Sequence, residues 1–371
     1  MNYRPFGKLD WEVSTLGFGV QRLPLEDEVG TIGMLRYAID RGVNYIDLGF
    51  AYDRERQERL TGIVREALRD GCREKVNLAA GVPSFMVKGT ADLDRFLDDQ
   101  LRWLGADGID FYLLGGLDRY TWLAMKELGA VAWLEKAVSG GRIGAAGFSF
   151  RDQFQFLREV LDDYDGWALG RFQYSYMDVD HHPGTSGLKL AAERGLAVVA
   201  AEALRGGRLA KNPPDSVAAI WADAAQQRTP AEWGLRFAWN QPEIAVVVSD
   251  MSSWEQVEEN IALAGSVEPG TLSIREQIVI GRARDAYRAL RPINCTACRA
   301  CMPCPQDIDA PRVFELYNDA VMYGDAETGR SLYRIERHDV TRCNDCGLCA
   351  GRCGRNIPLP DWLKRVGEVL G

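Results

Sequence analysis

The chain reads as a (β/α)8 barrel followed by a small helical domain, and two observations carry this. From residue 13 to about residue 265, short apolar or β-branched runs alternate with longer segments of helical periodicity. Beyond residue 290 that alternation stops, and all but one of the nine cysteines fall in two short runs. The expected division is a barrel over residues 1–290 and a cysteine domain over 291–371.

The strand candidates are Val13–Gly19, Tyr45–Asp47, Val76–Ala80, Phe111–Leu114, Ile143–Phe148, Phe172–Tyr174, Ala197–Ala201 and Ala245–Val248. Strands apolar almost throughout imply a parallel sheet covered on both faces. Closed on itself, such a sheet carries its chemistry at the C-terminal ends of the strands. An open doubly wound sheet is the rival, but it needs a glycine-rich fingerprint after the first strand. Leu16-Gly17-Phe18-Gly19 is too short for one. Between the strands, Glu55–Arg69 puts Leu60, Ile63, Val64 and Leu68 on one helical face. Ala91–Leu104 and Trp254–Ala264 follow the same rule. A helix over Ser273–Ala289 ends at Arg291-Pro292, and a further one is expected at Ala310–Tyr323. No internal repeat is expected beyond the β–α alternation.

The cysteine runs are Cys295-x2-Cys298-x2-Cys301-x2-Cys304 and Cys343-x2-Cys346-x2-Cys349-x3-Cys353. Three cysteines at this spacing suit one [4Fe–4S] cube, whose fourth ligand comes from the other run in two-cluster ferredoxins. On that pattern Cys295, Cys298, Cys301 and Cys353 hold one cluster, and Cys343, Cys346, Cys349 and Cys304 hold the other. The domain is expected to be ferredoxin-like but helical, because 38 residues separate the runs. Disulfides need an oxidising compartment, and structural zinc takes pairs of cysteines rather than triplets. Two details depart from the common pattern: the two-residue gap before Cys304, and Gly354 where a proline usually follows. Cys72 stands apart and reads as a structural thiol.

At 371 residues the chain has room for a large domain and a small one. Its net charge of −9 argues against a general nucleic-acid binder. No apolar stretch approaches the roughly 20 residues of a membrane span. The N-terminus lacks the apolar core of a secretory signal, so a cytoplasmic location is expected.

Asn44-Tyr45-Ile46-Asp47 followed by Tyr52 resembles the second-strand motif of the aldo/keto reductase family. Tyr3-Arg4-Pro5-Phe6-Gly7 and Leu16-Gly17-Phe18-Gly19 are similar to its N-terminal hairpin and first strand. Gly141-Arg142-Ile143-Gly144 through Ser149 is similar to its fifth strand. Val247-Val248-Ser249 with Gln256–Asn260 resembles its last β–α unit. One branch of the family also carries a C-terminal two-cluster domain. The resemblance implies NADPH-dependent carbonyl reduction, with a tyrosine donating a proton under the influence of a lysine, an aspartate and a histidine. Carried over, the aspartate is Asp47 and the tyrosine Tyr52, but the lysine position is Gly81 and the histidine position Gly115. The residues expected at the nicotinamide are likewise replaced, by Phe150, Arg171 and Ala201. Asp250 stands in the phosphate loop, where a carboxylate disfavours an anion. These changes argue against NADPH as the cofactor.

Two lost side chains predict a widened mouth, and Arg171 becomes a candidate contact for an anionic substrate. The plainer reading of Arg171 is an ion pair with Glu202 or Asp178. His181 and His182 read as solvated loop residues, and Leu204–Arg208 as a segment between barrel and cysteine domain. The function expected is an iron–sulfur oxidoreductase delivering single electrons from two [4Fe–4S] clusters to a small-molecule substrate or a redox partner protein. The alternatives are an NADPH-dependent reductase with a degenerate tetrad, and a non-catalytic electron-transfer or partner-binding subunit. Neither nucleic acid nor membrane is expected as a partner.

Overall fold

The computed structural model describes residues 1–50 and 53–371. Its strands are β1 Tyr3–Phe6, β2 Leu9–Ser14, β3 Leu16–Gly19, β4 Tyr45–Asp47, β5 Asn77–Pro83, β6 Ile109–Leu117, β7 Ile143–Phe150, β8 Trp167–Gln173, β9 Ala197–Ala201 and β10 Ile244–Asp250. Strands β3 to β10 close into a parallel barrel, β10 pairing with both β9 and β3. The expected first strand is two elements. Its first residues complete the antiparallel β1–β2 hairpin and the rest is barrel strand β3. Elsewhere strands β4 and β9 match the expected runs, and the other strands run longer, because polar ends such as Ser249 and Asp250 still pair with a neighbour.

The hairpin plugs the N-terminal end of the barrel. Phe6 is fully buried and meets Trp11 and Phe111 with ring centroids 4.9 Å away, and Tyr45 at 5.9 Å. Aromatic rings at such distances add to plain area burial. The turn at Gly7 has φ +59°, and a Cβ there would overlap the Ala197 amide. Only glycine lets the plug seat so closely against β9. Inside the barrel Phe6, Tyr45, Phe111, Leu113, Val199 and Val246 form one apolar cluster. Outside it the helices bury their apolar faces on the strands; Leu60 and Val64 are fully buried on helix Arg54–Ala67. Cys72 is buried in this outer core.

By internal contacts the chain divides into residues 1–206 with 231–274, and residues 207–230 with 275–371. The first unit is the barrel. The second is helical, with helices Ala310–Met322, Ala326–Ile335 and Leu359–Leu370 packed on one another. Val313, Phe314, Leu316, Leu363 and Val366 form its core, and six of the cysteines pack against its edge. Helix Ala310–Met322 is started by Asp309, whose side chain accepts from the Arg312 N–H. Among the described residues no helix is long and apolar enough to cross a membrane.

Because the hairpin is the barrel's floor, Phe6→Ala is expected to lower unfolding stability by about 3–5 kcal/mol. A urea melt checks it; a midpoint unchanged from the parent would show that the plug is dispensable.

Candidate functional site

The cysteines form two separate groups in the helical unit. One chamber is lined by Cys295, Cys298, Cys301 and Cys353. A second is lined by Cys343, Cys346, Cys349 and Cys304, with Cys301 reaching both. Each therefore draws three thiols from one run and its fourth from the other.

The backbone explains how the chain makes these pockets twice. Ala297 and Arg299, flanking Cys298, have φ of +52° and +60°; Asp345 and Gly347, flanking Cys346, have +56° and +72°. Alternating hand turns successive N–H groups to one side, the nest geometry that receives anions and iron–sulfur groups. The Ala297 N–H already donates to Cys295 Sγ at 3.4 Å. Beyond the fourth cysteine the match continues. Asp307 and Asn356 are both left-handed, at +58° and +52°, and their N–H groups donate back to the Cys304 and Cys353 carbonyls. An isoleucine follows each, then a helix starting at Ala310 or Leu359. The helical unit thus contains an internal two-fold repeat, where the sequence reading expected none. The signal was present in Cys304-Pro305-Gln306-Asp307-Ile308 against Cys353-Gly354-Arg355-Asn356-Ile357, offset by the unequal gap before the fourth cysteine.

Burial first, and crowding by Cys295 second, pushes the Cys301 thiol up to about 11. Burial likewise raises Cys295 and Cys349. Thiols so placed keep their protons until a metal displaces them.

The barrel mouth has a different character. Strand register sets Asp250 beside Gly19, and Gly19 beside Asp47. The Asp47 carboxylate accepts the Gly49 N–H at 2.7 Å and lies 3.4 Å from Arg171 Nε. That ion pair is buried, the side chains keeping 5% and 18% of their area exposed. Arg171 therefore pairs with Asp47; the sequence pointed to Glu202 or Asp178. Glu202 acts on it only at longer range, while Asp178 is taken by Arg205 at 2.6 Å. Burial opposes the charge on Arg171, but Asp47 and Asp250 more than offset it and raise its pKa. Burial, with Glu202 second, raises the Asp250 carboxyl to about 6.

The mouth is not widened at its two glycines. The Phe50 ring occupies the space above them. A Cβ at Gly81 would overlap Phe50 Cε1, and one at Gly115 would sit 2.5 Å from the same atom. Phe50 packs on the barrel's inner cluster and carries Arg171 against its ring, 5.5 Å from the centroid. Sequence reasoning missed Phe50. The clue was an aromatic close to Tyr52, matched by two glycines on neighbouring strands. Tyr52 itself lies outside the described residues. His181 and His182 are half-buried with rings 3.6 Å apart, where solvated side chains were expected.

The aldo/keto reductase family profile matches residues 15–268, more than half of the chain. The chain belongs to the aldo/keto reductase family. A "probable aldo-keto reductase 1" of Glycine max is 29% identical over 157 residues, 38% of this chain and 43% of that one. The match thus spans less than half of that relative. Among solved structures, the holo form of an aldo-keto reductase from Bacillus halodurans superposes with a TM-score of 0.63 at 24% identity, over 76% of this chain and 96% of that one. An aldo-keto reductase from Klebsiella pneumoniae in complex with NADPH gives 0.60 at 23%, over 75% and 93%. At this identity the likeness is one of fold. The family match ends at residue 268, before the cysteine runs. Asp47, Arg171 and Asp250 sit at the strand ends where such a barrel carries its chemistry.

Two outcomes follow from the mouth. Gly81→Ala is expected to destabilise by about 1–3 kcal/mol through overlap with Phe50. In a Phe50→Ala background most of that cost should vanish, and a strictly additive double-mutant cycle would contradict the packing described. The second concerns pH. Asp250 is raised in the folded state from 3.8 to about 6, so its protonation supports folding fully below pH 3.8. That support is lost as pH rises through about 6. Asp250→Asn should therefore be more stable than the parent above pH 6, by about 1–3 kcal/mol, and the difference should shrink toward pH 4. Thermal melts across that range check it.

Proposed function

We propose that the chain is an iron–sulfur oxidoreductase of the aldo/keto reductase family, with two [4Fe–4S] clusters in its helical unit and a redox partner as the exchange partner. Cys295, Cys298, Cys301 and Cys353 would hold one cluster; Cys343, Cys346, Cys349 and Cys304 the other. The observation that carries the reading is the sorting of eight thiols into two chambers, each completed by the other run. The donor set fits. Thiolates are the usual ligands of such clusters, left-handed residues flank the second cysteine of each run, and the Ala297 N–H donates to Cys295 Sγ. When bound, these clusters would supply electrons one at a time. The chain's own part is to fix two four-thiol sets, exclude water with Ile308, Ile357 and Leu359, and present Cys298 and Cys346 at the surface. A cytoplasmic, reducing location belongs to the same proposal.

Family membership, and a shared fold with a protein solved in complex with NADPH, favour a second reading as an NADPH-dependent reductase. The residues at the mouth fit that cofactor poorly. On the family pattern the tetrad would be Asp47, Tyr52, Gly81 and Gly115, so the lysine and histidine are missing. Phe50 stands where their side chains would enter, and Arg171 already holds Asp47. Asp250 accepts the Gln21 N–H at 3.1 Å and brings a carboxylate to the expected phosphate site. These features favour a partner that exchanges electrons over a carbonyl reduced inside the barrel. Tyr52 would then be a residual proton donor at most.

Anaerobically prepared protein is expected to hold about eight irons and eight sulfides per chain, four of each for every cube. Cys304→Ser should perturb the centre of Cys343, Cys346 and Cys349 and spare the other. Damage confined to its sequence neighbours would refute the crossed pattern. Calorimetry with NADPH separates the two readings, since a dissociation constant near 1 μM, about −8 kcal/mol, would restore the conventional reductase. Binding too weak to measure is the expected result.

A further inference from the structure

The two chambers are built on the same backbone repeat but differ in charge. Position by position, Ala297 corresponds to Asp345, Arg299 to Gly347, and Arg355 to Gln306. The wall of the first chamber includes Arg299 and Arg355; the wall of the second includes no charged side chain apart from its thiols.

Several of the nearby charges cancel locally. Arg299 donates to Asp309 at 2.9 Å, both side chains 28% exposed. Glu315, which acts on Cys295, is held by Arg312 at 2.7 Å. Arg342 faces Asp307 at 4.0 Å beside the second chamber. Among the described residues neither Arg355 nor Asp345 makes an ion pair. Arg355 follows Cys353 by two positions, and Asp345 lies between Cys343 and Cys346. Beyond Arg352, which lies in sequence between a cysteine of each chamber, the first keeps the positive charge of Arg355 and the second the negative charge of Asp345.

We infer that the centre held by Cys295, Cys298, Cys301 and Cys353 is the more easily reduced of the two, and that Arg355 and Asp345 are the residues that set this order. The inference rests on the two-cluster reading above. A nearby cation stabilises the added electron and a nearby anion opposes it; net charge is among the levers that tune such potentials. Both side chains are exposed, so salt screens their effect. The order implies a direction: an electron delivered at Cys343, Cys346, Cys349 and Cys304 comes to rest on the side of Arg355. Cys301 lines both chambers.

The test uses the full chain, prepared anaerobically, with iron and sulfide counted first and both midpoints then read by a redox titration followed by electron paramagnetic resonance. Two resolved midpoints are expected. Arg355→Gln installs the residue at the corresponding place in the other chamber. It should make the higher midpoint more negative by up to about tenfold in the reduction equilibrium, 59 mV for a one-electron couple. Asp345→Asn keeps a residue that tolerates a left-handed backbone and should raise the lower midpoint. Together they should narrow the gap, and added salt should narrow it in the parent. Full iron content with midpoints that neither substitution moves would overturn the inference and leave the two-cluster reading standing. So would Arg355→Gln shifting the lower midpoint alone. Iron near zero would remove both.

Discussion

A carboxylate buried at the end of a closed barrel needs a cation beside it, and at this mouth Arg171 meets Asp47. Much of the architecture at that end follows from the pair. Removing one partner of such a pair strands the other in a poor solvent, which is costly even when the intact pair adds little. Arg171 also feels Asp250, whose carboxyl is raised first by burial and second by Glu202. The guanidinium also lies against Phe50, so charge and apolar packing hold each other in place. Phe50 in turn needs glycine at 81 and 115. Ion pair, ring and glycines form one interlocking set. Restoring a larger side chain at either glycine would have to displace the ring first.

The helical unit meets a different constraint. Its apolar core is modest, and the cysteines occupy the edge of that core where further apolar side chains would otherwise sit. Small domains commonly make up such a shortfall with metals or cross-links. Binding metal to a preformed set of thiols contributes folding free energy directly. The repeated backbone lets one solution serve twice. Each run places a left-handed residue on either side of its middle cysteine and turns into a helix six residues after its last. Exchanging the fourth thiol brings the start of helix Ala310–Met322 beside the run at Cys343. It likewise brings the start of helix Leu359–Leu370 beside the run at Cys295.

The barrel was legible because its signals are periodic. Strand β4, strand β9 and helix Trp254–Ala264 have the bounds that apolar runs alone suggested. Short runs such as Phe111–Leu114 underestimated strands whose ends are polar or glycine, since pairing continues where side-chain hydrophobicity stops. The split of residues 13–19 between hairpin and barrel was invisible because Ser14 and Thr15 carry no turn signature. At the mouth, sequence pattern marked Asp47, Arg171 and Asp250 as unusual but not how they combine. Arg171 and Asp47 lie 124 positions apart in sequence, and only the closure of the barrel puts them on one level. Phe50 escaped notice because its role is volumetric. A glycine reads as a vacancy until the residue that fills it is known. The internal repeat escaped for a simpler reason: one extra residue before Cys353 breaks a register that the backbone keeps.

A barrel of this family and a two-chamber thiol unit impose opposite demands on a redox reaction. Hydride transfer moves two electrons at once and needs a positioned donor, an acceptor and a proton source within one open mouth. In this barrel Phe50 fills the space above Gly81 and Gly115, and Arg171 pairs with Asp47. Single-electron traffic needs no such mouth; it needs a rigid thiol set near the surface with its charge environment fixed. Cys298 and Cys346 are exposed, their flanking backbone is held by left-handed turns, and the charges around the two sets differ. Fold alone does not decide function. Here the two places are shaped independently, the mouth by Phe50 with the Asp47–Arg171 pair and the thiol sets by left-handed turns.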